Sequence, residues 1–272
     1  MFVEIDGARA YAYTGARAPV TGQPTVVFVH GAGLDHTVWT LQARYFAHHG
    51  CNAYAVDLPG HGRSEGPPLA AIETGGAWLN KFCRVIAHGQ AVMVAGHSMG
   101  SLVALEGAAQ AGSGVSALAL VGTAVPMPVA AVLQHAADAD DHAAYDMITL
   151  WGLSLPAQVG GGPHTPGEWL TASSLRLLER SGPGVLGNDL RACNHYEKGV
   201  QSAGEITADT LLILGQLDLM TPPRATENLH AALAKARRVE VAGTGHMLMA
   251  EQPDAVLEAL IDLFQGAAAN SA

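Results

Sequence analysis

Ala91-Val92-Met93-Val94-Ala95-Gly96-His97-Ser98-Met99-Gly100-Ser101-Leu102 decides how this chain reads. The apolar run Ala91–Ala95 predicts a buried strand, and Ser101–Ala111 predicts a helix. Between them, Gly96-His97-Ser98-Met99-Gly100 forms a sharp turn that lifts one serine out of the backbone with its hydroxyl exposed. The glycines have a steric reason, because side chains at 96 or 100 would collide with the neighbouring strand and helix. Ser98 is therefore the candidate nucleophile, against the plainer reading of a flexible loop serine.

The same kind of run recurs at Thr25–Val29, Ala53–Val56, Ala117–Val121, Thr210–Leu214 and Arg238–Val241. These runs lack polar alternation, which predicts strands covered on both faces, as in a parallel sheet. Helical candidates near Thr37–Ala47 and Ile72–Ala87 alternate with them, so the fold class is α/β, with helices on both faces of a mostly parallel sheet. Phe2–Ile5 and Arg9–Tyr13 flank Asp6-Gly7 and predict an opening antiparallel hairpin. Thr221 before Pro222-Pro223 predicts a capped helix carrying Ala225, Leu229 and Leu233, and Pro253 starts another with Val256, Leu260 and Phe264. Gly266–Ala272 predicts a frayed end. The alternation breaks between Pro126 and Gly204, where helical or irregular composition takes over. This divides the chain into a core of 1–125 and 205–272 and an inserted, mainly helical cap of 126–204.

Three loops that follow strands carry chemistry. His30-Gly31-Ala32-Gly33 follows Thr25–Val29, where the amides of Ala32 and Met99 are candidates for an oxyanion hole. Asp218 follows Thr210–Leu214 in Gly215-Gln216-Leu217-Asp218. His246 follows Arg238–Val241 in Gly243-Thr244-Gly245-His246. A loop aspartate usually caps a helix and a loop histidine usually faces water, but Ser98, Asp218 and His246 each follow a strand, in the order in which one fold uses them. Asp57-Leu58-Pro59-Gly60-His61-Gly62-Arg63-Ser64 is read as a structural turn. Asp138, Asp140, Asp141 and His142 read as a solvated helix face, so no metal and no cofactor are expected. Trp151 and Met147, with Leu150 and Leu153, are candidates for an apolar substrate pocket with Met99 beneath; core packing explains them equally well.

Composition narrows the partners. Lys and Arg number 14 against 24 Asp and Glu, a formal charge of −10. Such a chain repels polyanions, which excludes nucleic acid and anionic membrane surfaces as expected partners. Cys51, Cys83 and Cys193 are odd in number and widely spaced, as suits reduced thiols in the cytoplasm. Met1–Tyr13 carries Glu4 and Asp6 where an export signal needs basic residues. The most apolar stretch, Ala117–Leu133, is broken by Gly122, Pro126 and Pro128.

On these motifs the chain resembles the α/β-hydrolase superfamily from hairpin to final helix, the cap matching least. The resemblance implies that Ser98, deprotonated by His246 with Asp218 orienting it, attacks a carbonyl and forms an acyl-enzyme that water cleaves. Hydrolysis of a carboxylic ester is the implied activity; the few basic residues of 126–204 point to a neutral, apolar ester, while Arg176, Arg180 and Arg191 keep an anionic one open. Lactone, thioester or amide hydrolysis and acyl transfer are variants, and a triad-bearing ligand sensor with little turnover is an alternative of another class. Epoxide hydrolases and haloalkane dehalogenases of this fold carry an aspartate where this chain has Ser98. Carbon–carbon bond hydrolases usually carry Asn before the serine and a second Gly after the elbow, where His97 and Ser101 stand here.

Overall fold

The computed structural model describes residues 1–110, 112–160, 165 and 167–270, the side chains of 267–270 excepted. Among these residues eight strands form one sheet: β1 (Phe2–Ile5), β2 (Ala8–Tyr13), β3 (Thr25–Val29), β4 (Asn52–Val56), β5 (Val92–His97), β6 (Val115–Val121), β7 (Asp209–Gly215) and β8 (Ala236–Val241). Their spatial order is β1-β2-β4-β3-β5-β6-β7-β8. β1 and β2 are antiparallel, joined through Asp6 and Gly7 at φ 53° and 80°, the positive angles a two-residue hairpin turn demands. β2 also runs antiparallel to β4, and every later pairing is parallel.

Side chains alternate across the sheet, so each central strand feeds two cores. Val27, Val94, Leu120 and Leu212 face one side, under α2 (Ile72–Ala87) and α3 (Met99–Ala109). Phe28, Ala95, Ala119 and Ile213 face the other, under α1 (Thr40–His48) and the C-terminal helix. Both layers are apolar because both faces are covered, which is why the strands read as unbroken apolar runs. Ala111, the expected end of the helix after the elbow, lies outside the described residues.

Between β6 and β7 the chain forms α4 (Ala131–Asp138), α5 (Ala143–Gly152), α6 (Leu155–Gln158), α7 (Leu170–Leu178), α8 (Val185–Asn194) and α9 (Gly199–Gly204). Leu133, Ala137, Ala144, Leu186 and Leu190 bind α4, α5 and α8 into a cluster of their own. Ala192, Cys193, Tyr196 and Ala203 instead join the main core beneath α3, so α8 spans from the insertion to the sheet layer. After β7 come α10 (Glu227–Ala232), α11 (Leu248–Glu251) and α12 (Pro253–Asn270).

Four local expectations are corrected. β8 is not covered on both faces: Arg237, Arg238, Val239 and Glu240 are exposed, because β8 is the sheet edge, and its charges discourage pairing with another chain. The helix expected from Thr37 begins as a 3-10 turn at His36–Trp39, with the Asp35 side chain accepting from the Thr37 amide, and only then becomes α1. The segment after Thr221 is likewise a 3-10 turn, Pro223–Thr226, before α10, and Thr221 does not cap it. α12 continues to Asn270 rather than fraying from Gly266, with 271–272 outside the described residues.

Candidate active site

β3, β5, β7 and β8 are parallel, so the loops leaving them emerge at one edge of the sheet, where open α/β sheets bind ligands. Ser98 sits between β5 and α3 at φ 52°, ψ −122°, a strained conformation for a residue with a side chain. The tightness of the turn explains its glycines: a Cβ at Gly96 would lie 2.1 Å from the Gly100 carbonyl oxygen, and one at Gly100 would lie 2.3 Å from that of His30. The loop after β3 presses on this elbow, since a Cβ at Gly31 would meet Ser98 Cβ at 3.1 Å and His97 Nδ1 at 3.0 Å. The amides of Ala32 and Met99 donate to no backbone or side-chain acceptor among the described residues, and Met99 opens α3, whose dipole places partial positive charge there.

His246 and Asp218 are joined directly. The His246 Nδ1–H donates to Asp218 Oδ2 at 2.8 Å, and both residues are buried. Asp218 also accepts from the amides of Met220 and Thr221 and, at 2.6 Å, from the Thr221 hydroxyl. Burial opposes ionisation of this carboxyl, yet the facing imidazole and the Thr221 bonds outweigh it and hold the group well below the usual carboxylate range. The far nitrogen of His246, Nε2, is buried without a hydrogen-bond partner. Ser98 and His246 both line one cavity of about 420 Å³, along with Ala32.

The His246 loop is fixed from three sides. Its amide donates to Gly152 O at 2.7 Å, its carbonyl accepts from His97 Nε2 at 2.9 Å, and the Gly245 amide donates to the buried Glu251 carboxylate, which also accepts from Ser154. His97 is fully buried; desolvation, reinforced by neighbouring His246, holds its pKa down at about 3, so it is neutral.

The cavity wall is apolar. Met127, Leu133, Ile148, Trp151, Leu178 and Leu190 contribute to it. Trp151 is therefore at the wall, but Met147, one turn before it on α5, is not; it packs against the cluster of Leu133, Ala137 and Leu186. Leu150 is half exposed, Leu153 is buried with Leu34 and Leu170, and Met99 is buried in the main core. None of Arg176, Arg180 and Arg191 faces the cavity; they pair with Glu179, Asp35 and Asp138.

The Asp57–Ser64 loop is a turn held by its own residues and by neighbours such as His36. Asp57 accepts from the His36 and Arg63 amides and the His36 ring, and Ser64 donates to Asp57 O. Asp138, Asp140, Asp141 and His142 are exposed and bond separately to Arg191, the Gly184 amide, the Ala143 amide and Glu179. Three residues at or near the site escaped the sequence. Thr221 was legible, because a threonine three positions after an aspartate favours a local side-chain turn. Glu251 and Asp189 carried no signal, since a buried acid on an amphipathic helix reads like a solvated one.

A strained serine on an elbow shares a cavity with a histidine held by a buried aspartate, all three in loops leaving parallel strands of an α/β sheet. The chain belongs to the alpha/beta hydrolase family, whose model matches residues 26–259. It is similar to the enol-lactonase of Burkholderia xenovorans, with a TM-score of 0.84 at 20% identity, covering 97% of this chain and 100% of that one. An esterase from Exiguobacterium antarcticum superposes with a TM-score of 0.81 at 20% identity over 96% of this chain and 97% of that one. Among curated proteins, the 2-succinyl-6-hydroxy-2,4-cyclohexadiene-1-carboxylate synthase of Salmonella paratyphi B is 34% identical over 110 residues, which is 37% of this chain and 39% of that protein. The dihydrolipoyllysine-residue acetyltransferase component of the acetoin cleaving system of Cupriavidus necator is 37% identical over 130 residues, 44% of this chain and 31% of that protein. The chain thus spans about a third of the length of the curated relatives it matches. Among the described residues no helix is long and apolar enough to cross a membrane.

Proposed function

We propose that the protein is a carboxylesterase acting on a neutral, apolar ester, with Ser98 as nucleophile, His246 as general base and Asp218 as the group that orients the histidine. The observation that carries this reading is His246: its Nδ1 is engaged by Asp218 while its Nε2 has no partner at a cavity that Ser98 shares. In this mechanism Ser98 Oγ gives its proton to His246 Nε2 as it bonds to the ester carbonyl carbon. The resulting oxyanion is held by the amides of Ala32 and Met99, each donor worth about 3–4 kcal/mol in comparable sites. His246 returns the proton to the departing alkoxide, leaving an acyl group on Ser98, and water deprotonated by His246 then releases the acid. Asp218, held ionised, keeps the imidazole in the required tautomer and stabilises its protonated form.

The apolar wall and the absence of Lys and Arg from it among the described residues support a neutral substrate over an anionic one. The same feature weighs against the carboxylate chemistry named for the Salmonella relative, and His97 and Ser101 weigh against carbon–carbon bond hydrolysis. The segment 126–204 is assigned as the cap over a core of 1–125 and 205–272, because Met127–Ala130 together with residues of α4, α5, α7 and α8 make up more than half of the cavity lining. Three free cysteines support a reducing compartment, the cytoplasm.

A p-nitrophenyl ester series of increasing acyl length tests the reading. Wild type is expected to turn over, and Ser98→Ala to lose about 10⁴-fold or more in kcat. A wild type inert on every ester overturns it and favours lactone cleavage or ligand sensing.

A further inference from the structure

The loop proposed to hold the oxyanion is braced from outside the core, by a carboxylate that the insertion supplies. Asp189 of α8 is 1% exposed, and its Oδ2 accepts from the Gly33 amide at 2.9 Å and from His61 Nε2 at 2.7 Å. Asn188 Nδ2, at 3.4 Å, reaches the other oxygen. His61 is 4% exposed, and its second nitrogen, Nδ1, faces Pro59 O at 3.0 Å. Both ring nitrogens therefore face acceptors, so both carry protons and the ring is an imidazolium. Its surroundings agree: burial disfavours the charge, but Asp189, and behind it Pro59 O and Asp57, outweigh that and raise the pKa. His30, whose ring lies tilted beside it at 4.8 Å, is neutral, because its Nδ1–H donates to Gly31 O while its Nε2 accepts from the Leu58 amide. His61 and Asp189 thus form a buried ion pair joining the Asp57–Ser64 loop to the insertion.

The geometry around Ala32 shows what this pair does. A peptide unit is planar, with its C=O and N–H pointing oppositely, so fixing one end of the plane fixes the other. The plane containing the Ala32 N–H is set by Gly31 O, which accepts from His30 Nδ1 at 2.8 Å and from the Leu34 amide at 3.2 Å. The following plane is set by the Gly33 N–H, held by Asp189. Gly33 itself is at φ 66°, a conformation with no side chain to anchor it. Both planes flanking Ala32 are clamped, one from the core and one from the insertion.

We propose that Asp189 is a positioning residue for the oxyanion loop, so that seating α8 on the core assembles the oxyanion hole. The proposal rests on the reading of the Ala32 amide as an oxyanion donor. A carboxylate is suited to the task because one oxygen accepts two hydrogen bonds at once, and the facing imidazolium offsets the burial of its charge.

Steady-state kinetics on the preferred p-nitrophenyl ester, together with inhibition by an alkyl trifluoromethyl ketone, test it. The ketone adds to Ser98 Oγ as a hemiketal whose oxygen occupies the oxyanion position. Asp189→Ala is expected to lower kcat about 10- to 100-fold with KM within about 3-fold, and to weaken ketone inhibition by the same factor as kcat. Asp189→Asn keeps a carbonyl acceptor for both donors and is expected to stay within about 5-fold of wild type. Should Asp189→Ala not fold, the double variant His61→Leu with Asp189→Leu removes both buried charges while leaving the Gly33 amide without its acceptor. The same loss of kcat is expected from it. A folded Asp189→Ala or double variant with wild-type kcat overturns the proposal, as does a rise in KM with kcat and ketone affinity unchanged. A wild type that neither turns over esters nor binds the ketone instead overturns the esterase reading, and the oxyanion role with it.

Discussion

Ser98 stores strain that its proposed role as nucleophile accounts for and that stability measurements can detect. At φ 52°, ψ −122° a residue with a Cβ costs about 1–3 kcal/mol relative to relaxed backbone, whereas glycine adopts this region freely. Ser98→Gly and Ser98→Ala both remove the hydroxyl, so their difference isolates the backbone. Ser98→Gly is expected to unfold about 1 kcal/mol later than Ser98→Ala in urea, the glycine's larger unfolded-state entropy taking back part of the relief. Equal midpoints would show that the elbow relaxes. The loops that carry Ser98, His246 and Asp218 were legible because their glycines mark them. Glu251 and Asp189 were not marked: what distinguishes them is a partner brought from elsewhere in the chain, Ser154 for Glu251, Gly33 and His61 for Asp189.

α5 shows that sharing a helix face does not settle which residue meets the cavity. Ile148 and Trp151 line it, while Met147, one turn before Trp151, does not, although all three pack against the cluster of Leu133 and Leu186. Composition alone gives all of these positions equal standing as pocket residues, and only the docking of α5 against α4 and α8 separates them. Trp151→Ala is therefore expected to shift the acyl-length optimum towards longer chains, measured on the same ester series. Met147→Ala is expected to leave that optimum in place and to lower stability by about 1–3 kcal/mol, read from urea unfolding. A shifted optimum in Met147→Ala would mean that α5 is turned differently on the core.

Across the whole molecule, the buried histidines tie stability to pH. Burial, with His61 as the next contribution, lowers His30 to about 4, and burial, with His246 next, lowers His97 to about 3, against 6.5 when exposed. As pH falls below 6.5 the unfolded chain takes up these protons while the native protein refuses them, so native stability falls. Each group contributes about 1.4 kcal/mol per pH unit between 6.5 and its folded value. His61 has the opposite sign: its pKa is raised, so its contribution is complete below 6.5 and is lost as pH rises through the folded value. It therefore adds no slope on the acid side. Urea midpoints are expected to fall steadily from pH 6.5 to 4.5, and His97→Asn to flatten that decline by about 1.4 kcal/mol per pH unit; an unchanged slope would show that His97 titrates normally.

The sequence by itself determined the α/β architecture and the loops that carry Ser98, Asp218 and His246. Doubly covered strands must be apolar and tight turns must contain glycine, and both constraints are local. Only the tertiary structure decided that Trp151 but not Met147 meets the cavity, that β8 is an edge, that Thr221 serves Asp218 rather than a helix, and that an acid on α8 grips the loop after β3. Those outcomes depend on which surfaces meet across long stretches of chain, and a residue's type says whether it can be buried or paired, not with what.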